Sequence, residues 1–343
     1  MKKHIVVSMA LAMLVNTGCG DKKAEEAAQA QQAQTSKEVN EIEQRNKKVE
    51  QLNEEYREMP DEKLFENNGQ NGPVYTELKK RYSEQLATLK QKVEGTGAKF
   101  VVVLITPEVG KGMTDFTRYG HPHIKATCAE LGIEYYDLGP AIASQDAHVI
   151  TQVPKDGHWS KKGAIFLADQ LDPILKKHAG HKSTTTYKDT ERPETFGDLA
   201  PNSDEVLDGG KDLPYRLIGN AQGLRMDHNV KFPKAKQHIL FMGGSQIYSP
   251  FLDNEFIATS ILQQRHPDME VMNAAMWAGC TDDFLSLWDE KAKYSEPDVV
   301  IVQTNGTDIP DLFFSNRNHL ARSKKPYYPS EVEEKYFRER YRK

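Results

Sequence analysis

The sequence predicts an α/β domain in which a five-stranded parallel sheet is covered by helices. Short apolar runs alternate with helical patterns along the chain, as in parallel sheets packed under helices. The runs are nearly continuous rather than alternating, which is typical of strands buried on both faces. Polar residues and glycines follow the ends of these runs, where ligands bind in such sheets.

The first predicted helix begins at Pro73. Apolar residues recur every three to four positions over Tyr75–Val93, which is the spacing of one helix face, and glycines follow. Residues 99–105 are predicted as the first strand and residues 133–138 as the second. A helix over residues 123–131 is expected between these two strands.

A helix after the second strand is predicted to begin at Ser160, whose hydroxyl suits an N-cap. Its inner side is expected to carry Ile165, Leu167, Ala168, Leu171 and Leu175. Residues 180–235 show little periodicity and are predicted as a long connection. Beyond it, strands are expected at residues 238–242, 269–273 and 298–304, with a helix over residues 254–264.

Composition narrows the class of protein. The 343 residues carry 45 Lys+Arg and 50 Asp+Glu, so the basic excess of a nucleic-acid binder is absent. No Cys/His spacing resembles a zinc site, and no metal or cofactor is predicted. His121 and His123 flank a proline and are expected in a loop or at a helix start rather than in a metal site. Cys128 and Cys280 are expected to be buried thiols rather than a disulfide.

The first residues resemble an export signal. Met1-Lys2-Lys3 is basic, and the apolar run of residues 5–15 is too short to span a bilayer comfortably. Residues 16–19, Asn-Thr-Gly-Cys, resemble a bacterial lipobox, which implies cleavage before Cys19 and lipidation of its sulfur. We therefore expect a signal peptide at residues 1–18 and a lipid-anchored, periplasmic protein. An ordinary signal peptide with an incidental cysteine is the alternative.

Two polar segments are expected to flank the domain, which is predicted over residues 73–314. Residues 19–72 are predicted as a partly helical tether, because their composition is too polar to form a core and a narrow apolar stripe recurs at helical spacing. Residues 315–343 form a basic, aromatic tail. We expect this tail to be solvated, and contact with an acidic glycan is the alternative.

Two motifs together supply the groups for acyl transfer through a serine ester: Asp156-Gly157-His158 and Gly243-Gly244-Ser245. The Ser245 hydroxyl needs a base, and an imidazole such as that of His158 titrates near neutral pH. In a turn, the two-residue spacing lets Asp156 accept from one ring nitrogen while the other faces Ser245. A simple tight turn at Ser245 and a plain polar loop at His158 are the alternatives.

The negative oxygen of a tetrahedral intermediate needs hydrogen-bond donors. The backbone N–H groups of Ser245 and Gly279 and the side-chain amide of Asn305 are the candidates. Asn305 and the glycine after it form only a turn in the alternative interpretation. Trp159 and Trp277 are candidates to line the substrate site, and packing in the core is the alternative for each.

The motifs resemble the sequence blocks of the SGNH hydrolase superfamily. Residues 238–249 resemble its first block, residues 273–279 its glycine block, residues 297–308 its asparagine block and residues 156–158 its final Asp/His block. The order is rotated, because the Asp/His block precedes the serine. This rotation, with an Asp-x-His-Trp signature, resembles the circularly permuted alginate O-acetyltransferase family of the AlgJ and AlgX type. The resemblance implies a three-layer α/β/α, flavodoxin-like fold that is circularly permuted.

Two positions depart from the superfamily pattern. Gly244 stands where the superfamily has an aspartate. Counting from Pro297, Thr307 falls where the superfamily has its asparagine, two residues after Asn305. Asn305 and Thr307 therefore both remain candidates for the oxyanion donor.

The resemblance implies an exported O-acetyltransferase that acts on a polysaccharide without a cofactor. Ser245 would take an acetyl group, and a sugar hydroxyl would accept it. A membrane protein that supplies the acetyl groups is implied by the family alone. A carbohydrate acetyl esterase with the same triad is one alternative, and an inactive carbohydrate-binding or assembly protein is another.

Overall fold

The computed structural model describes residues 73–106, 115–207, 212–277 and 279–312. The predicted signal peptide, Cys19, the tether and the basic tail lie outside the described residues. Within the described ranges, none of the helices combines the length and apolar character needed to cross a membrane.

The predicted five-stranded parallel sheet is present, in the order β2-β1-β7-β5-β6. The strands of the described residues are β1 (Lys99–Leu104), β2 (Glu134–Asp137), β3 (Ser203–Leu207), β4 (Tyr215–Gly219), β5 (Gln237–Met242), β6 (Met269–Asn273) and β7 (Val299–Thr304). Leu104 pairs with Thr304, and Met242 pairs with Val302. The carboxyl ends of the three central strands therefore open on the same edge of the sheet.

The strand order reveals the rotation of the chain. When the strands are counted from β5, the order in the sheet reads 2-1-3-4-5, which is the flavodoxin-like arrangement. The chain enters this arrangement just before its fourth strand, β1. In such sheets ligands bind at the carboxyl ends of the two strands between which the strand order reverses. Here these strands are β5 and β7.

Helices cover both faces of the sheet. They are α1 (Pro73–Glu94), α2 (Asp115–Glu130), α3 (Gly139–Ala143), α4 (Ala147–Ile150), α5 (Lys161–Lys177), α6 (Ser245–Tyr248), α7 (Ala258–Arg265), α8 (Thr281–Glu290) and α9 (Asp308–Asp311). Side chains of α1, α2 and α8 share a core with Phe100 and Val102 of β1. Side chains of α5 and α7 share a second core with Val101 and Val103. Alternate residues of one strand thus enter opposite cores, which explains its continuous apolar run and confirms the three-layer fold.

The long connection contains a β-hairpin that the sequence analysis did not predict. β3 and β4 pair antiparallel in a separate two-stranded sheet. Tyr215 and Leu217 of β4 are buried in the core that α5 shares. The alternation in β4 spans only five residues, and β3 has no fully buried residue, so the local sequence pattern of this hairpin is weak.

Helix α2 begins earlier than predicted. It starts at Asp115 and contains Pro122, so His121 and His123 lie within the helix rather than in a loop or at its start. A proline lacks a backbone N–H and usually marks a helix boundary. Here the burial of His121 and Ile124 holds the segment against the rest of the domain on both sides of the proline.

Two further helices differ in detail from the prediction. Ser160 caps α5 as predicted, because its hydroxyl accepts from the Gly163 N–H at 3.1 Å. Ile165 is 47 % exposed, however, and the residue before it, Ala164, takes the inner position. The helix predicted from residue 254 begins at Ala258, after a short 3-10 turn.

Both described cysteines are free and buried in the core on the α1 side, as predicted. Burial raises the pKa of the Cys128 thiol to about 12 and raises the pKa of the Cys280 thiol well above its ordinary value. Neither thiol is therefore activated as a nucleophile at neutral pH.

Candidate active site

Asp156 and His158 form the tight turn that their spacing predicts. One carboxylate oxygen of Asp156 accepts from the backbone N–H of His158 at 2.8 Å and also pairs with Nδ1 of the same residue. The carboxylate is buried, whereas the imidazole remains partly exposed. Because Asp156 occupies Nδ1, Nε2 points away from the carboxylate. This is the orientation that a base supported by an acid requires.

The loop that carries the pair is fastened to the sheet edge. Trp159 is only 1 % exposed, and its indole N–H donates to the Gln246 carbonyl at 2.9 Å. The side-chain amide of Gln152 donates to the Trp159 carbonyl at 3.1 Å and to the Phe251 carbonyl at 3.3 Å. The structure therefore places Trp159 in the core, which agrees with the packing role that the sequence analysis gave as the alternative.

Ser245 begins the short helix α6 directly after the two glycines that follow β5. The first helical hydrogen bonds are donated by the N–H groups of Ile247 and Tyr248 to the Gly244 carbonyl. The N–H of Ser245 takes part in neither bond, as is usual at the start of a helix. It is therefore available to an oxyanion, and the strand-to-helix turn presents the Ser245 side chain at the carboxyl edge of the sheet.

Gln303, which the sequence analysis did not single out, lies under this turn. Its side-chain oxygen accepts from the Gly244 N–H at 3.0 Å. A Cβ on Gly243 would lie 2.8 Å from the Cβ of Gln303, so only glycine fits there without a shift. The sequence signal that could have identified Gln303 is a polar residue directly after the four apolar residues of β7.

An aromatic wall joins the two halves of the site. The His158 ring lies 5.9 Å from Phe251 and 5.8 Å from Trp277, measured between ring centres. The two aromatic rings themselves meet at right angles, 5.8 Å apart. Phe251 follows Ser245 by six residues, and Trp277 belongs to the loop after β6. Trp277 is 48 % exposed, so one part of its ring packs and another faces solvent.

These contacts bring Asp156 and His158 to the same end of the sheet as Ser245. No described residue makes a hydrogen bond to the Ser245 hydroxyl, so direct pairing with His158 stays a prediction. Catalytic hydrogen bonds of this kind are often long in the absence of substrate.

The other oxyanion candidates lie around the same turn. A Cβ on Gly244 would lie 3.2 Å from the Gly279 carbonyl oxygen, which places these two glycines side by side. The Gly279 N–H makes a long bond of 3.4 Å to the Met276 carbonyl and is therefore partly engaged.

Asn305 is better prepared to donate than Thr307. The Asn305 side-chain oxygen accepts from the backbone N–H of Thr307 at 2.7 Å and from its hydroxyl at 2.6 Å. Both bonds use the oxygen, so the amide nitrogen of Asn305 keeps its two hydrogens. The Thr307 hydroxyl already donates its hydrogen to Asn305. This favours Asn305 as the donor to the oxyanion.

Other groups near this edge are buried supports. Thr304 donates to the Asp308 carboxyl at 2.7 Å and pairs with the Tyr82 hydroxyl at 2.8 Å. Burial raises the pKa of the Asp308 carboxyl well above its ordinary value. No group of His, Cys, Asp and Glu within the described ranges has the arrangement of a metal site.

Comparison with known proteins gives structural likenesses only. No protein-family model matches the chain, and no curated protein sequence matches it. The fold is similar to the O-acetyltransferase domain of Pseudomonas putida AlgJ, with 15 % identity, a TM-score of 0.43, and coverage of 73 % of this chain and 91 % of that one.

Two further solved structures are similar. Pseudomonas aeruginosa AlgX has 14 % identity and a TM-score of 0.41, with coverage of 74 % of this chain and 61 % of that one. Bacillus cereus PatB1 has 10 % identity and a TM-score of 0.38, with coverage of 68 % and 91 %. Similarity at this level concerns the fold alone.

Proposed function

We propose that the chain is an acyl-transferring enzyme in which Ser245 carries the acyl group. The observation that supports this most strongly is the Asp156–His158 pair, which packs through Phe251 against the segment that follows Ser245. An acid on Nδ1 leaves Nε2 of His158 as a base for the serine hydroxyl. The position at the strand-order reversal supports the same conclusion, because ligands bind there.

In the first half-reaction, the Ser245 oxygen attacks the carbonyl carbon of an acetyl donor, and Nε2 of His158 takes the hydroxyl proton. The backbone N–H of Ser245 and the Asn305 amide hold the resulting oxyanion, and the Gly279 N–H is a third candidate donor. The bond between the acetyl carbon and the leaving group then breaks. The leaving group takes the proton from His158, and acetyl-Ser245 remains.

In the second half-reaction, a sugar hydroxyl attacks acetyl-Ser245 and gives its proton to His158. The serine oxygen leaves and recovers that proton, so the enzyme is restored and the acetyl group is on the sugar. Trp277 supports a sugar as the acceptor, because its half-exposed indole offers a flat apolar face beside the base. The choice of a polysaccharide acceptor rests on the sequence resemblance.

We propose that the protein works outside the cytoplasm, anchored through a lipid on Cys19 at the periplasmic face of a bacterial membrane. This follows from the lipobox-like residues 16–19. The same resemblance implies a membrane protein that delivers acetyl groups. A donor on the membrane surface suits an enzyme held there by an anchor.

The test uses para-nitrophenyl acetate as donor and a panel of neutral and uronic-acid-containing oligosaccharides as acceptors. We expect nitrophenolate release that is faster with a suitable acceptor, acetylated sugar by mass spectrometry, and an acetyl group on the peptide containing Ser245 in acid-quenched samples. Ser245→Ala should lower the rate of acylation by at least about 10³-fold, because the nucleophile is lost.

The matched control is Ser144→Ala, an exposed serine whose loss should leave the rate unchanged. Nitrophenolate release with no acetylated sugar from any acceptor would identify an esterase with the same triad. A wild-type protein that releases no nitrophenolate but binds oligosaccharide would instead indicate an inactive binding protein.

A further inference from the structure

Arg225 is a buried arginine that bonds only to neutral acceptors. It lies in the segment after β4, is 1 % exposed, and donates its backbone N–H to the carbonyl of Asn273 at the end of β6, at 2.9 Å. Its Nε donates to the Asn254 side-chain oxygen at 3.0 Å. The guanidinium nitrogens donate to the carbonyls of Tyr248, Ser249 and Leu252. None of the described carboxylates forms a salt bridge with it.

Burying a cation in this way lowers the stability of the fold unless its contacts compensate for the loss of water. Burial lowers the pKa of Arg225 to about 10, which still leaves the guanidinium charged at neutral pH. Removing a charge from water without an opposite charge in direct contact carries a large desolvation penalty, and Asp253 acts on Arg225 only from beyond salt-bridge distance. Three carbonyls from residues 248–252 converge on this one cation, and the ring of Tyr248 lies 4.9 Å from it.

The segment over residues 248–252 contains two residues in a strained backbone conformation. Ser249 and Phe251 both have left-handed conformations, with φ of 55° and 64°. This conformation is sterically unfavourable for a residue other than glycine. The convergence of the carbonyls on Arg225 stabilises this conformation, since a planar guanidinium fixes the directions of several acceptors at once.

The same segment forms the wall beside the base. It begins three residues after Ser245, and Phe251 contacts both the His158 ring and Trp277. Its carbonyl also accepts from Gln152, which belongs to the loop that carries His158. A shift of residues 248–252 would therefore move the Phe251 ring away from His158, while Asp156 would stay bonded to the His158 imidazole.

We propose that Arg225 is a positioning residue, which pins residues 248–252 so that Phe251 holds His158 towards Ser245. The proposal rests on the proposed function for the roles of base and nucleophile. It gives a role in the site to the long connection, in which the sequence pattern predicted none.

The main test is Arg225→Lys, which keeps the charge and removes the planar fork. We expect the rate of acylation by para-nitrophenyl acetate to fall by about 10²-fold, the cost typical of a displaced catalytic group, with KM little changed. Arg216→Met is the matched control, because Arg216 lies on β4 but forms an exposed pair with Asp204. It should leave the acylation rate unchanged.

A second readout does not depend on activity. The ring protons of His158, assigned by comparison with His158→Gln, feel the ring currents of Phe251 and Trp277. In Arg225→Lys these resonances should shift, while those of His266, which lies just before the amino end of β6 and pairs with Asp172, should stay in place. These resonances report whether Arg225 positions His158 even if Ser245 proves not to be a nucleophile. The positioning role of Arg225 and the proposed function can therefore fail independently.

Two further variants guard against a simple loss of folding. Phe251→Leu leaves Arg225 in place and should reproduce the lower acylation rate, because the contact with His158 is lost. Adding Ser249→Gly to Arg225→Lys should recover part of the rate, since glycine adopts the positive φ without steric strain. Unchanged His158 resonances in folded Arg225→Lys, or full activity of Phe251→Leu, would overturn the proposal.

Discussion

At the scale of single residues, the site depends on side chains that hold other groups in place. Gln303 accepts from the Gly244 N–H through its oxygen, while its own amide nitrogen is buried without an acceptor in the structure. An unpaired buried donor costs about 1–3 kcal/mol. The bond to Gly244 is therefore the feature that accounts for a glutamine in the core of β7.

Gln303→Met keeps the volume of the side chain and removes the acceptor. We expect the acylation rate to fall by about 10–10²-fold, because the turn that aims the Ser245 N–H loses its support. Thermal stability should change little, since one unpaired donor replaces another. The measurements are acylation kinetics and thermal melting. Exposed Gln145→Met serves as the control, and equal rates in the two variants would contradict the proposed role.

His228 gives a prediction of pH dependence away from the site. Its Nε2 pairs with Glu270 and its Nδ1 with Asp227, each at 2.7 Å. The hydrogen bond to Glu270 makes the largest contribution in raising the pKa of His228 from 6.5 to about 9, and Asp227 adds to it. The folded state therefore holds this proton more tightly than the unfolded chain.

The stabilisation from His228 should be fully present below pH 6.5 and should disappear as the pH rises through about 9. We expect the melting temperature of the wild type to exceed that of His228→Gln below pH 6.5, and the difference between the two to disappear above about pH 9. Melting temperatures across this range provide the measurement. A gap that widens with rising pH would show that the sign is wrong.

At the scale of elements, helix α2 meets the turn after β7 at two glycines. A Cβ on Gly120 would lie 2.8 Å from both the Cα and the carbonyl oxygen of Gly306. These are backbone atoms, so neither can yield as a flexible side chain would. The close approach sets the position of the turn that carries Asn305.

Gly120→Ala tests this contact through two opposing effects. Alanine favours a helix over glycine by about 1 kcal/mol, which would raise stability. The clash with Gly306 should outweigh this gain, because α2 or the turn has to move. We expect lower stability and a lower acylation rate, measured by denaturant unfolding and ester kinetics.

The control for this helix is Ala126→Gly at an exposed position of α2. It should cost about 1 kcal/mol through helix propensity alone and leave the acylation rate unchanged. If Gly120→Ala were as active as wild type and more stable, the contact would not position Asn305.

At the scale of the whole molecule, the rotated chain order leaves the sheet intact. β1 and β2 come first along the chain yet occupy the places of the fourth and fifth strands. Sheet pairing depends on which strands are neighbours and not on where the termini lie. The rotated chain order therefore leaves the β5–β7 pair, and the candidate site at the carboxyl ends of these strands, unchanged.

The buried thiols report on the cooperativity of this arrangement. Cys128 in α2 and Cys280 before α8 lie in one core. Both should stay unreactive towards a thiol reagent in the native state and react together at the midpoint of denaturant unfolding. A thiol that reacts well below the midpoint would show that its helix opens separately. The denatured chain should give two thiols if Cys19 is lipidated and three if it is not.

The sequence alone determined the five strands, their parallel pairing and the Asp156–His158 turn, because each of these follows from a local pattern. It could not determine which side chains meet across the sheet edge. Trp159 reaches Gln246 over 87 residues, and Gln303 reaches Gly244 over 59. Such contacts depend on how strands order and pack, and no local periodicity encodes that order. Only the tertiary structure therefore put Trp159 in the core and Arg225 behind the aromatic wall.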